Sequence, residues 1–543
     1  MEPSEPSTAS TGSRLAALGR WLAQAPAAAW WMTALYCAAG LWLAFQSANL
    51  DDEGLLTFGY ARSMGSAFVP TLFFLKVKPV LALFYAPFAH FGLSPFLVAH
   101  VAVASLSIWL CCDIARRLGH QRPNLAGLLC MASPVGLWIA ATGVSNTDGI
   151  AVVALSIWAT VRGKHGLALL VAGLGALVRY EVAVVLALPA LFSLYQARQR
   201  PQQLWPVLLI PAYFLGGAIY HHDWRWFLDY PPNIPAPMPG TDLHTAGFAR
   251  NNVGTLLAAI ALCLPATLPA LLMNPRGTDR VQRVLHFAWL GFLALYVVAY
   301  LRLLPLGPLF VLGFADRYML AALPLVALSG SYVLGRLDQP QPSQASVWAV
   351  CFVIIAGAAA VVSRHVAGLW VAAPVAVGVM VARARWSFRG LGVGVSVGAL
   401  LCVPFGLFLH QRPAAREHER DAVALLDEHA DAARVFTNLH TLPAYLERIG
   451  YAAPHPPKYI LQVDQKYELD LLTNPRNGQR EVIGRVLPES VFGPVLRPSE
   501  DPLRAGDLLL VSRSTQFDLL VERYHLSCET IAKRGDVELL RVR

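Results

Sequence analysis

The chain has 543 residues, 56% of them hydrophobic and 14% charged, and a formal net charge of +9. Ordinary soluble proteins carry roughly 25% charged residues; here the apolar residues form runs of near-bilayer length with the charges gathered between them. This excludes a soluble enzyme, and it turns the positive balance away from nucleic acid, because the Lys and Arg residues occupy the short inter-span loops that orient a membrane protein.

Residues 1–27 are rich in Ser, Pro and Ala with Arg14 and Arg20, and read as a cytoplasmic tail. Residues 28–45 follow as an uncleaved first span, since the run is long and no small-residue cleavage site precedes the next segment. That segment is Asp51-Asp52-Glu53-Gly54. Three consecutive carboxylates at a membrane exit need open water, as in a solvated helix-capping loop, or a dedicated cavity.

Further spans are expected at 94–115, 123–141, 149–162, 166–179, 182–196, 204–220, 253–273, 284–303, 317–334, 346–362, 366–382 and 390–410, about thirteen in all. Arg116-Arg117, Arg162-Gly163-Lys164, Arg198-Gln199-Arg200, the loop 276–283, Arg336 and the loop 383–389 occupy alternate loops, which places them inside with the N-terminus. This threading requires that 76–92 does not cross. It is short, contains Pro79 and Pro87, and a crossing would put Arg116-Arg117 on the wrong face. A long first outer loop, 48–92, with interfacial helices is therefore expected. The other threading takes 76–92 as a true span.

On the first threading the polar groups without a topological role collect on the outer face. They are the acidic segment, Lys76 and Lys78, Asn146-Thr147-Asp148, Arg179-Tyr180-Glu181, the loop 221–250 and Asp316-Arg317-Tyr318. Asp148 directly follows a span, where an N-cap serves equally well. Lys78, Arg62 and Arg317 suit an anionic ligand or headgroup snorkelling; Arg179 and Glu181 suit an ion pair at a helix break or the lining of a site. His221, His222 and Asp223 lack a third ligand at helical spacing, so an interfacial role is preferred to a zinc site; no cofactor is called for, with a divalent metal as the alternative. Trp224, Trp226, Phe227 and Tyr230 read as an aromatic belt below the Pro-rich loop 231–240, which could equally cover the substrate. Seven of the eight cysteines lie in apolar runs, with neither disulfide nor metal spacing.

Residues 411–543 change to a soluble pattern, with strand-like runs at 434–437, 508–512 and 537–542 and helix-like stretches at 416–429 and 517–524. The fold class is thus an α-helical polytopic membrane protein, 28–410, with a small C-terminal α/β domain outside the membrane. That domain carries no nucleophile elbow, P-loop or metal constellation, which suits binding or capping.

Asp52-Glu53-Gly54, then Tyr60-Ala61-Arg62 and Lys78-Pro79, resembles the first outer loop of GT-C glycosyltransferases. The branch is the bacterial one of protein O-mannosyltransferases and lipid A aminoarabinose transferases. Asn146-Thr147-Asp148, Arg179-Tyr180-Glu181 (with Tyr180 where proline is usual) and Arg317-Tyr318-Met319-Leu320 ahead of Pro324 fit in order, over about residues 28–335. The resemblance implies transfer of a sugar from a polyprenyl-phosphate donor to a lipid, protein or polysaccharide acceptor outside a bacterial cytoplasmic membrane, with inversion. It implies Asp52 as general base, with Glu53 or Asp51 orienting it or binding acceptor and Asp148 as a further acidic residue. Lys78, Arg62 and Arg317 would lie near the carrier phosphate, and Asn146, Arg179, Glu181 and Tyr318 would bind substrate. A transporter or flippase of lipid-linked saccharides and a non-catalytic envelope scaffold are the rival classes. The first would need midplane charges and internal repeats, and no repeat is visible.

Overall fold

The computed structural model describes residues 24–46, 52–65, 68–73, 78–226, most of 256–301, 316–336, and in the C-terminal part 417–429, 434–437, 458–460, 495–496, 503–512 and 525–543, with a few isolated positions. The spans expected at 346–362, 366–382 and 390–410 and the helix expected at 517–524 lie outside these residues.

The membrane part is helical: α1 (Pro26–Gln46), α2 (Asp52–Ser63), α3 (Pro79–His90), α4 (Leu93–Arg117), α5 (Asn124–Met131), α6 (Pro134–Thr142), α7 (Asn146–Val161), α8 (His165–Val178), α9 (Tyr180–Ala197), α10 (Leu209–His221), α11 (Arg280–Tyr300) and α12 (Leu323–Gly335), the last entered through a 3₁₀ turn, Asp316–Ala322. Five described helices are long and apolar enough to cross a bilayer: α1, α4, α9, α11, and α12 with its leading turn. The chain is a polytopic membrane protein. α1 leaves Trp30, Trp31, Leu35 and Trp42 exposed on one side and buries Ala29, Met32 and Tyr36 on the other, as a span between lipid and protein must.

The stretch 123–141, expected as one span, consists of α5 and α6, which together are long and apolar enough to cross, with a bend of 68° between them. The break lies at Ser133-Pro134. Proline at the first position of α6 cannot continue α5, and the Ser133 hydroxyl accepts from the Gly136 N–H at 3.1 Å to start a new helix. α3 has 12 residues, so at 1.5 Å per residue it is about 18 Å long, well short of a hydrocarbon core of ~30 Å.

α4 and α7 run parallel, and polar clusters close both ends of the pair. At one end Asp113 accepts from Arg117 Nε at 2.8 Å, Trp158 Nε1 at 2.9 Å and Arg162 Nη2 at 3.3 Å. At the other, His100 of α4 faces Asp148 of α7. His100 and Asp113 are about 20 Å apart along α4, from the helical rise alone. The basic residues read as loop-orienting charges thus lie at the end opposite the acidic segment's partners.

Among the described residues the C-terminal part carries a six-stranded sheet: β1 (Val435–Thr437), β2 (Lys458–Ile460), β3 (Val495–Leu496), β4 (Leu508–Ser512), β5 (Cys528–Arg534) and β6 (Val537–Val542), in the order β3-β2-β1-β4-β6-β5. β3, β2, β1 and β4 are parallel, and β6 and β5 continue antiparallel. β4 is central and apolar on both faces. Leu508 and Leu510 pack with Ala422, Leu425 and Leu426 of helix α13 (Glu417–Glu428), while Leu509 and Val511 pack with Phe436, Leu540 and Val542. The three strand-like runs read from the sequence are β1, β4 and β6, and the helix read at 416–429 is α13.

Candidate active site

The polar groups converge where α2, α3, α7, α9 and the 3₁₀ turn begin. Each is delivered by a local rule. Lys78 precedes Pro79, the first residue of α3, and a residue before proline is steered away from helical backbone. Arg179 is the single extended residue between α8 and α9 (φ −157°, ψ 142°), so its side chain leaves the helix pair sideways. Ser145 is the N-cap of α7, yet its hydroxyl does not cap that helix; it donates to Glu53 Oε1 at 2.8 Å.

Glu53 is brought there by a close backbone crossing. A Cβ on Gly54 would lie 2.2 Å from the carbonyl oxygen of Thr142 and 3.1 Å from the carbonyl carbon of Gly143. Gly143 itself closes α6 in the left-handed region at φ +77°, which glycine alone adopts without cost. Two glycines on facing turns let α2 approach the start of α7 closely enough for a short carboxylate to reach it.

The Glu53 carboxylate is the hub. Oε1 accepts from Lys78 Nζ, Arg179 Nη1 and Ser145 Oγ, and Oε2 accepts from Arg317 Nη2 at 2.9 Å. Lys78 and Arg179 also donate to Ser145 Oγ, the latter at 2.7 Å. Arg179 turns its Nε to Glu181 Oε1 and lies over the Tyr318 ring, 4.9 Å from its centroid. Asn146 Nδ2 donates to Glu181 Oε1 and to the carbonyl oxygen of Arg317, each at 3.3 Å. Lys78, Arg179 and Glu181 are buried, while the side chains of Glu53 and Arg317 keep 20% and 29% of their exposure and form the open edge. Burial pushes the Glu53 carboxyl up, but Arg179, Lys78 and Arg317 outweigh it and hold the group well below the usual carboxylate range. Burial pulls the Lys78 ammonium below its ordinary value against the opposing pull of Glu53.

The structure therefore brings Glu53, Lys78, Asn146, Arg179, Glu181, Arg317 and Tyr318 into one cluster. Asp148 belongs to a neighbouring one. Its Oδ1 accepts from Tyr85 Oη, its Oδ2 faces His100 Nε2 at 3.2 Å, and His100 Nδ1 lies 3.0 Å from the Ala140 carbonyl oxygen. Tyr85, His100 and Asp148 are all buried. Asp148 is not the N-cap of α7 but stands in its first turn, where a negative charge suits the helix dipole. Arg62 is exposed on α2, its guanidinium 5.7 Å from the Phe58 ring centroid. Asp51 and Lys76 lie outside the described residues. Asp52 opens α2, and its side chain, like that of Asp316, is also outside them.

Sequence reasoning missed three participants. Ser145 adjoins a motif that was singled out, so adjacency could have found it; Tyr85 and His100 sit in apolar helices with no flanking signal. The predicted aromatic belt divides: Trp224 is exposed, whereas Trp226 is buried and donates its Nε1 to the Phe214 carbonyl oxygen at 3.0 Å. Phe227, Tyr230 and the loop 231–240 lie outside the described residues. His221 lies 2.9 Å from the Phe73 carbonyl oxygen and stacks on Trp226. Among the described residues no three His, Cys, Asp or Glu side chains converge as a metal site requires.

No protein-family model matches the chain, and no curated protein matches it. Solved structures do. ArnT from Cupriavidus metallidurans bound to undecaprenyl phosphate superposes with a TM-score of 0.61 at 15% identity, covering 95% of this chain and 98% of that one. The same protein in the apo state gives a TM-score of 0.60 at 15% identity and the same coverage. The chain shares the ArnT fold over 95% of its length, as the resemblance to the aminoarabinose-transferase branch implies.

Proposed function

We propose that the chain is a membrane-integral glycosyltransferase. It takes a sugar from a polyprenyl-phosphate-linked donor and transfers it to an acceptor hydroxyl at the outer interface of a bacterial cytoplasmic membrane. The observation that carries this reading is the convergence of Lys78, Arg179 and Arg317 on one partly open point, in a fold shared with a protein solved with undecaprenyl phosphate bound. A lipid phosphate needs fixed cations at a span end, and two arginine forks with one lysine provide them.

Transfer is a single in-line displacement. The acceptor oxygen bonds to the anomeric carbon as the bond from that carbon to the phosphate oxygen breaks, and the electron pair leaves with the phosphate. Lys78, Arg179 and Arg317 stabilise the charge that develops there. The acceptor proton needs a base. Glu53 is unsuited, since four donors already engage it and its carboxyl is held strongly acidic. The role falls to Asp52, one residue earlier, with Glu53 holding the cations in place. One displacement inverts the anomeric centre. The C-terminal α/β domain, 411–543, would stand on the same side and bind or cover the acceptor.

The test is a comparison of wild type and Asp52→Asn in cells, with lipid-linked sugars and envelope glycans profiled by mass spectrometry. The variant should insert normally, accumulate lipid-phosphate sugar, and leave one glycan short of a residue, which also names the sugar and acceptor. If the Asp52→Asn profile equals wild type while a gene deletion alters it, the base assignment fails and a flippase or scaffold takes its place.

A further inference from the structure

The charge count of the cluster goes further than anion binding. Its described side chains comprise three cations (Lys78, Arg179, Arg317) and two carboxylates (Glu53, Glu181), which leaves one positive charge in excess. Glu181 is buried behind Arg179, whereas Glu53 stands at the open edge with both oxygens turned onto the cations. A site built for affinity alone would do better without that carboxylate. A glutamine there would still accept hydrogen bonds, and the three cations would then face Glu181 alone. Glu53 thus weakens every anion that approaches Arg317, and it weakens a dianion more than a monoanion, because Coulomb energy scales with charge.

The proposed reaction supplies such a pair of anions. The sugar-bearing lipid is a phosphodiester with one negative charge, and the lipid left after transfer is a phosphomonoester with nearly two near neutral pH. We infer that Glu53 is a fixed counter-charge that matches the site to the phosphodiester donor and drives off the phosphomonoester product. The inference rests on the transferase reading above. Glu53 is suited to this because it cannot swing aside: Ser145, Lys78 and Arg179 hold Oε1 while Arg317 takes Oε2. The mutual geometry of Glu53 and the cations therefore persists as one lipid head replaces the other.

The experiment uses the full chain in nanodiscs at pH 8 and two soluble probes, farnesyl phosphate as monoester and farnesyl methyl phosphate as diester, titrated calorimetrically. Wild type should bind the diester at least as tightly as the monoester. Glu53→Gln should shift the ratio of the two Kd values at least tenfold toward the monoester. Should that variant not fold, Arg317→Gln on the open edge reads the opposite sign, weakening the monoester several-fold more than the diester. If Glu53→Gln, or in its place Arg317→Gln, changes both Kd values by one common factor, Glu53 only organises the cations and the inference is overturned. If wild type binds neither probe, the lipid-phosphate reading itself falls and takes the inference with it.

Discussion

Gly54→Ala isolates the close crossing that carries Glu53 into the site. The added Cβ would start 2.2 Å from the Thr142 carbonyl oxygen, a backbone atom that cannot rotate away, whereas ordinary contact begins near 3.4 Å. α2 must therefore retreat by about 1 Å, a typical overpacking strain of ~1–3 kcal/mol. Ser145 Oγ and Arg317 Nη2 lie 2.8 and 2.9 Å from the Glu53 oxygens. The same retreat stretches both contacts beyond hydrogen-bonding range. A displacement of this size in a positioning group costs on the order of 100-fold in rate. The assay is transfer to the acceptor identified by glycan profiling, normalised to folded protein, beside Gly291→Ala as control. A Cβ at Gly291, within α11, meets nothing within 4 Å, so that variant should keep wild-type activity. If Gly54→Ala retains more than half the wild-type rate while folding normally, the crossing does not position Glu53.

Two further outcomes follow from the buried polar groups. Asp148→Asn should lower the thermal unfolding temperature through the lost partnership with His100 and Tyr85, by about 3 kcal/mol or more of stability, while the per-molecule transfer rate of the folded fraction changes less than tenfold; a folded variant without activity would make Asp148 a reacting group. His120, in the turn after α4, has Nε2 3.2 Å from Gln282 Oε1 and Nδ1 2.9 Å from Ser331 Oγ, and burial pushes it down to about 4. The folded state then holds fewer protons than the unfolded one between pH ~6.5 and 4. Stability from this residue is complete above ~6.5 and declines as pH falls through that window, by at most about 3 kcal/mol. Unfolding followed against pH should show this loss in wild type and not in His120→Asn.

Much of the architecture was legible because it follows from composition. Apolar runs with charges between them read directly as spans, and the strong runs 508–512 and 537–542 became the core strands of the sheet. The bend in 123–141 was legible too, in Ser133-Pro134, but the apolar run around it dominates any hydropathy reading. In the site, the residues recognised in advance are, apart from Asn146 and Tyr318, charged ones, conspicuous because a charge near lipid demands a reason. What stayed hidden is their pairing. Glu53 meets Arg317 across 264 positions, and no local pattern states which cation a carboxylate selects. Tyr85 and His100 were harder still, since each sits singly in an apolar helix and acquires a role only through Asp148. Gly54 was read within a motif, but its use lies in the Thr142 carbonyl it passes.

The order in which the cluster's members leave the ribosome has its own consequence. Glu53 emerges first and Lys78 follows 25 positions later, so the first ion pair is electrically closed before the next segments arrive. Arg179 and Glu181 emerge together, two positions apart, and enter as a second closed pair. Arg317 comes last, and it is the member left on the open edge. Since chains are synthesised from the N-terminus and an uncompensated charge inside a membrane is costly, this order gives each of the first four charges its counter-charge before Arg317 is made. The surplus charge arrives only once there is a finished rim to carry it.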